Sequence, residues 1–247
     1  MNAIAPAAAL PITRSKAADY LALTKPRITL LVAFTAMAGF YLGVHGAFDA
    51  ALFVHALLGV ILVAGGTSAL NMAVEWREDA KMLRTAQRPV PAGRLSFSEA
   101  AIFGAALSLA GVAYLALAVN ALTAFLAALT VTSYVFLYTP LKRVTHWSTL
   151  VGAVPGALPP VGGYAAARGE IGAEGWALFA ILFLWQIPHF LAIAVLHRDD
   201  YARAGFRVLP LAENGDARTA RQMVLTALAL LAASLVPWAA GMAGNAY

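Results

Sequence analysis

A chain of 247 residues in which 61% are hydrophobic and only 12% charged is no ordinary soluble domain, where about a quarter of residues would carry charge. With no cysteine it has neither disulfides nor thiolate metal sites, and its net charge of +5 rests on too few bases to suggest a nucleic-acid surface. The composition is that of an integral membrane protein.

Apolar runs of about twenty residues, the length at which a helix crosses the hydrocarbon core, recur near 28–47, 51–72, 98–119, 121–139, 148–166, 175–196 and 222–241. They are continuous rather than alternating, so a β-barrel is excluded and an all-α, polytopic transmembrane helical bundle of about seven spans is expected. The stretch before them, 1–27, holds Pro6 and Pro11 without an uninterrupted apolar core, and reads as a cytoplasmic N-terminal segment rather than a cleaved signal.

The first span carries Gly39 and Gly43, a GxxxG pair suited to close packing. At the end of the second comes "NMAVEWREDAKMLRTAQRP" (71–89), where charge is suddenly dense. Asn71, Glu75 and Asp79 are four apart, so on a helix they share one face, each about 6 Å further along the axis. Oxygen ligands at a helix C-terminal end oppose the dipole, a cost that a divalent cation would offset. Magnesium typically takes one or two carboxylates and completes its shell with water and phosphate oxygens, and Lys81, Arg84 and Arg88 follow to meet phosphate charge. The stripe reads as a diphosphate site, although a wet connection obeying the positive-inside rule would also be charged.

Later elements add to it. Lys142 and Arg143 follow "YTP" (138–140) at the end of the fourth span, and "HRDDYARAG" (197–205) brings Asp199 and Asp200 to the end of the sixth. The fifth span contains "VPGALPPVGGY" (154–164), besides a second GxxxG pair at Gly152 and Gly156; its prolines and glycines predict a bent or unwound helix beside a polar cavity. His189 lies deep in the sixth span, where a polar residue is expensive and commonly functional, whereas His146 and His197 fall in connections. Tyr41, Tyr134, Phe136 and Tyr138 could shield a cation with their ring faces or simply pack.

Sixteen of the 17 Lys and Arg residues fall in the N-terminal segment and the second-to-third, fourth-to-fifth and sixth-to-seventh connections, leaving Arg168 for the other side. These segments are therefore expected in the cytoplasm, with Tyr247 on the outer face.

"NMAVEWREDAKMLRTAQRPVPAGRLS", "YTPLKRVT", "GAVPGALPPVGG" and "FLWQIPHFLAIAVLHRDDYARAGFRVLP" resemble, in order and spacing, the signatures of the haem O synthase (protoheme IX farnesyltransferase) branch of the UbiA-type intramembrane prenyltransferases. The resemblance implies a helical bundle around a cavity in the bacterial inner membrane. It also implies Mg2+-dependent binding of farnesyl diphosphate, and transfer of the farnesyl group to a vinyl group of haem B. Position by position, Asn71, Glu75 and Asp79 match the first acidic motif and Asp200, beside Asp199, the second; together these would serve catalysis and the metal. Lys81, Arg84, Arg88, Lys142 and Arg143 would bind diphosphate, and His189 would contact haem. Haem A synthase or oxidase assembly proteins would be the partners downstream, within the lipid bilayer. The chain departs from the family at Arg77, where an acid is common, and in its span count: the family fold has nine helices, so 28–247 is expected to lack the C-terminal pair. Rival readings are a prenyltransferase for a quinone precursor or chlorin, and a secondary transporter, against which the crowding of charge at one interface counts.

Overall fold

In the computed structural model, which describes residues 15–242 and 244, every regular element is helical. Arg14, among the bases counted above, and Tyr247 lie outside the described residues. The first helix, α1 (Lys16–Leu23), is capped by Ser15, whose hydroxyl accepts from Ala18 N, and the chain turns through Lys25 in the left-handed region (φ 47°). Pro26 then opens α2 (Pro26–Gly43) at a position where its missing N–H costs nothing.

Polar caps at the apolar runs explain where the next helices begin. Asp49 accepts from Leu52 N at the start of α3 (Ala50–Val74), which is followed by the single turn α4 (Trp76–Asp79). A reciprocal Ser96/Glu99 capping box starts α5 (Phe97–Ala118), and Asn120 caps α6 (Ala121–Thr132). This last helix widens into a π-helical turn over Ser133–Tyr138 before α7 (Thr139–Leu141). Then come α8 (Ser148–Arg168), closed by Gly169 in the left-handed region, and α9 (Ala173–Leu196). The chain continues through α10 (Arg198–Ala204), a 3-10 turn at Leu209–Leu211, and α11 (Gly215–Ala239).

Six of these segments are long and apolar enough to span a membrane, and their limits fall within a few residues of the expected ones except that the first, Lys16–Gly43, starts twelve residues earlier than 28 and α11 seven residues earlier than 222. The fifth expected span, α8, has the length, but its prolines and glycines dilute its apolarity. It is instead the inner helix: Ala153, Ala157, Val161, Tyr164 and Ala165 are fully buried, and α2, α6 and α9 pack around it. The unwinding expected at 154–164 does not occur; α8 runs helical through Pro155, Pro159 and Pro160. Neighbouring helices also reach its carbonyls, Asn120 Nδ2 donating to Ala165 O at 3.0 Å and Gln186 Nε2 to Ala153 O at 3.3 Å.

Glycine spacing sets how closely α8 is approached. A Cβ at Gly39 would stand 2.8 Å from the Pro160 carbonyl carbon, so α2 and α8 meet backbone to backbone. The second pair works differently: Gly152 lies against the Tyr138 ring and Gly156 against the Gln186 amide, leaving room for side chains of the bundle interior.

Candidate functional site

The helix direction breaks at Glu75 (φ −92°, ψ 8°), yet Glu75 N still donates to Asn71 O at 3.0 Å and Asp79 N to Glu75 O at 2.8 Å. Helical register thus survives the break, and Asn71, Glu75 and Asp79 remain on one face, exposed by only 3%, 5% and 1%. Burying carboxylates requires partners, and each is supplied from another part of the chain. Lys142 Nζ lies 2.7 Å from Glu75 Oε1, Arg88 2.6 Å from Asp79 Oδ2, and Arg143 2.8 Å from Glu78 Oε2. Lys25 Nζ donates to Asn71 Oδ1 at 3.2 Å, and the Asn71 amide donates to Thr139 Oγ1 at 3.2 Å. One oxygen is left over: Asp79 Oδ1 is buried without a hydrogen-bond partner.

The π-helical turn explains how Lys142 gets there. Its i→i+5 bond, Thr139 N to Tyr134 O, and the Thr139 hydroxyl on the same carbonyl at 2.9 Å rotate the end of this span inward ahead of Pro140. Tyr134 and Tyr138 pack ring to ring at 5.0 Å, and the Lys142 ammonium sits 4.4 Å above the Tyr138 ring. Burial opposes the charge on Lys142, but the Glu75 carboxylate together with Tyr138 and Tyr134 outweighs it and holds the ammonium above its ordinary range. Of the other two aromatics considered from sequence, Tyr41 and Phe136 both face outward.

The second acidic cluster contributes one inward carboxylate. Asp200 Oδ1 accepts from Leu83 N at 2.9 Å and from Arg203, so α10 pins the connection after α4, where Met82 packs against Ala204 and Phe206. Asp199, Lys81 and Arg84 are exposed. The Leu83 amide, with Arg203, holds Asp200 below the usual carboxylate range. The folded pKa is depressed, so the stabilisation is full above the ordinary carboxylate value and is lost as pH falls below about 4 toward the folded value. Amide exchange at Leu83 is therefore expected to accelerate, relative to neighbouring amides, on acidification through that window. In Asp200→Ala, which has no acceptor, it should be fast throughout; an acid-insensitive Leu83 amide in the wild type would refute the pinning.

His189 does not join this group. At its level the inward face of α9 belongs to Gln186, Ile187 and Leu191, and two residues past Ile187 a helix has turned about 200°. The imidazole is exposed and stacked on Trp185, ring centroids 4.8 Å apart. Conversely, Lys25, Glu78 and Thr139 belong to the cluster although sequence reading assigned them no site role. Their partners are 46 to 68 residues away, so spacing carried no signal.

Two turns deeper than Asn71 on α3, Val63 and Ala64 border a small apolar cavity, lined also by Val32, Leu126, Leu158 and Gly162. Charged stripe and apolar cavity together form a site for an amphiphile with a polyanionic head and a hydrocarbon tail. Among the described residues no three His, Asp or Glu converge as a metal cage. The amide oxygen and two carboxylates, one of them with its Oδ1 orphaned, nevertheless suit a hard cation that draws most of its ligands from water and a bound phosphate.

Comparison with known proteins bears on what that amphiphile is. Residues 32–247 match the UbiA prenyltransferase family. Among curated relatives, protoheme IX farnesyltransferase of Solibacter usitatus is 50% identical over 238 residues, covering 93% of this chain and 82% of that protein. The protein of the same name from Salinibacter ruber is 49% identical over 229 residues, covering 93% and 81%. Among solved structures, a UbiA homolog from Archaeoglobus fulgidus bound to DMAPP and Mg2+ superposes with a TM-score of 0.72 at 19% identity, covering 92% of this chain and 79% of that one.

Proposed function

This chain belongs to the UbiA prenyltransferase family, with the protoheme IX farnesyltransferases among its relatives, and from that premise we propose that it transfers the farnesyl group of farnesyl diphosphate to a vinyl group of haem B, giving haem O. The observation that carries this reading is the buried Asn71/Glu75/Asp79 stripe, each member paired with a base, on a helix that two turns deeper borders an apolar cavity.

In this reading the farnesyl tail lies in the cavity between α2, α3, α6 and α8, and the diphosphate lies among Lys25, Arg88, Lys142 and Arg143. Those bases exchange their present partners, three carboxylates and the Asn71 amide oxygen, for phosphate oxygens, with Lys81 and Arg84 reaching in from the exposed connection. Asn71, Glu75 and Asp79 would hold magnesium, which when bound supplies positive charge against the diphosphate. Asp200, already engaged by Leu83 and Arg203, holds the connection rather than the metal, with Asp199 outside.

The reaction then needs no protein nucleophile. As the allylic C–O bond breaks, Lys142 and Arg88 stabilise the charge on the departing diphosphate, and the Tyr134 and Tyr138 faces lie beside the developing cation. The vinyl carbon of the acceptor forms the new C–C bond, water adds to the resulting cation, and one proton is released; the side chain becomes hydroxyethylfarnesyl. The basic end of the bundle, by the positive-inside rule, faces the cytoplasm of the inner membrane. Membranes from cells expressing the chain are expected to gain a haem heavier by one farnesyl group and one hydroxyl. Farnesylation of a quinone precursor without any change in haem, or uptake of substrate without release of diphosphate, would point to one of the rival readings.

A further inference from the structure

We propose that a groove at the basic end of the bundle, between the end of α3, the start of α5 and Arg143, binds the phosphate of an anionic membrane phospholipid, with Arg77 as its anchor. The site serves no step of the prenyl-transfer reading, so its failure would leave that reading standing.

The groove, of about 530 Å³, is lined by Val74, Trp76, Arg77, Phe97 and Arg143. That volume falls within the range of about 300–1,000 Å³ typical of small-ligand clefts. Its place in the fold sets its depth: Val74 ends one membrane-spanning segment (Ala50–Val74) and Phe97 begins the next (Phe97–Ala118). The groove therefore opens where hydrocarbon gives way to headgroups, the level at which Trp side chains gather. Val74, Trp76 and the half-exposed Phe97 form its apolar walls, and the two arginines are both exposed.

Its charge is one-sided. The Arg77 guanidinium lies 5.3 Å from the centre of the Trp76 ring, and among the described residues it has no ion pair. Stacking on an indole face orients the planar fork while leaving its N–H donors for a ligand. Arg143 is engaged through Nη2 alone, which donates to Glu78 Oε2 at 2.8 Å and to the Val74 carbonyl at 3.5 Å, so the rest of its fork remains for a second acceptor. The neighbouring acids are already held. Glu78 is buried against Arg143, and Glu99, two residues past Phe97, is taken by Lys16 at 2.9 Å and by the Ser96 amide at 2.8 Å.

Two guanidiniums with no acid among the lining residues match the single negative charge of a phosphodiester. The apolar walls decide between a lipid and soluble phosphate. Inorganic phosphate would gain the two arginines only, whereas a phospholipid also covers Val74, Trp76 and Phe97 with its glycerol and upper acyl chains, and anionic lipid is concentrated beside basic segments at the membrane surface. A lipid phosphate here holds Arg143 from outside while Nη2 keeps Glu78, the neighbour of Asp79, and so stiffens the edge of the charged stripe.

The test uses the purified full chain, stripped of phospholipid in detergent, with its thermal midpoint followed as phosphatidylglycerol or phosphatidylcholine is added in mixed micelles. Phosphatidylglycerol is expected to raise the midpoint by about 2–4 °C, and phosphatidylcholine, whose headgroup carries no net charge, by much less. Arg77→Gln should lose the phosphatidylglycerol increment and Arg77→Lys should keep part of it, whereas Arg27→Gln, at another exposed arginine of the same end, should respond as the wild type does. Inorganic phosphate should give no increment. Lipid phosphorus retained by the chain after purification from phosphatidylglycerol-containing membranes should also be lower in Arg77→Gln, a readout that does not depend on the variant's own stability. An undiminished increment and undiminished lipid phosphorus in Arg77→Gln, an equal loss in Arg27→Gln, or an equal rise with phosphatidylcholine or inorganic phosphate would overturn the proposal.

Discussion

Asp79→Asn is expected to slow farnesyl transfer by about 10²- to 10³-fold, the usual loss when one preorganised charged group is removed from a site where charge develops. The substitution keeps the side-chain shape and removes charge at a position 1% exposed, where Oδ2 meets Arg88 and Oδ1 has no protein partner. The fold should persist, since Arg88 is about a quarter exposed and water can solvate it. The check is kcat for the variant at rising magnesium, alongside its thermal midpoint in detergent. A wild-type rate in Asp79→Asn, or full wild-type activity in excess chelator, would remove the metal–diphosphate assignment.

Lys142→Met is expected to have the largest effect on stability. Glu75 is 5% exposed and its partner is that ammonium at 2.7 Å, so the variant leaves a buried carboxylate without compensation. Such a loss typically costs about 3–5 kcal/mol. Adding Glu75→Gln removes the stranded charge, so the double variant should regain much of the stability while staying inactive, because both the metal ligand and the phosphate base are gone. A detergent denaturation series on the two variants and the wild type separates these terms. A single variant as stable as wild type would show that the pair is not coupled as its geometry indicates.

The order of these elements was legible in the sequence for a physical reason: lipid forces every backbone bond inside a helix, so apolar length alone marks the spans. The i, i+4 spacing of Asn71, Glu75 and Asp79 gave their common face, and backbone hydrogen bonds across the break at Glu75 preserve it. What spacing could not give was partnership. Nothing local links Lys25 to Asn71 or Lys142 to Glu75, and a π-helical turn is needed to aim the second pair. The inner helix α8 read as broken because prolines and glycines disfavour a helix locally, whereas the packing of α2, α6 and α9 around it is invisible in its own sequence. His189 read as inward because depth in a span is visible in sequence, whereas the direction a helix faces depends on what packs against it.

The central claim is that one site couples release of diphosphate to farnesylation of haem. The direct measurement is a stoichiometry on the purified chain, with farnesyl diphosphate, haem B and magnesium, counting diphosphate released and haem O formed over the same interval. The account predicts one diphosphate per haem O, and near-zero release of either when haem B is omitted or magnesium chelated. Diphosphate released at the same rate without haem B, or haem B recovered unaltered while farnesyl diphosphate is consumed, would contradict it.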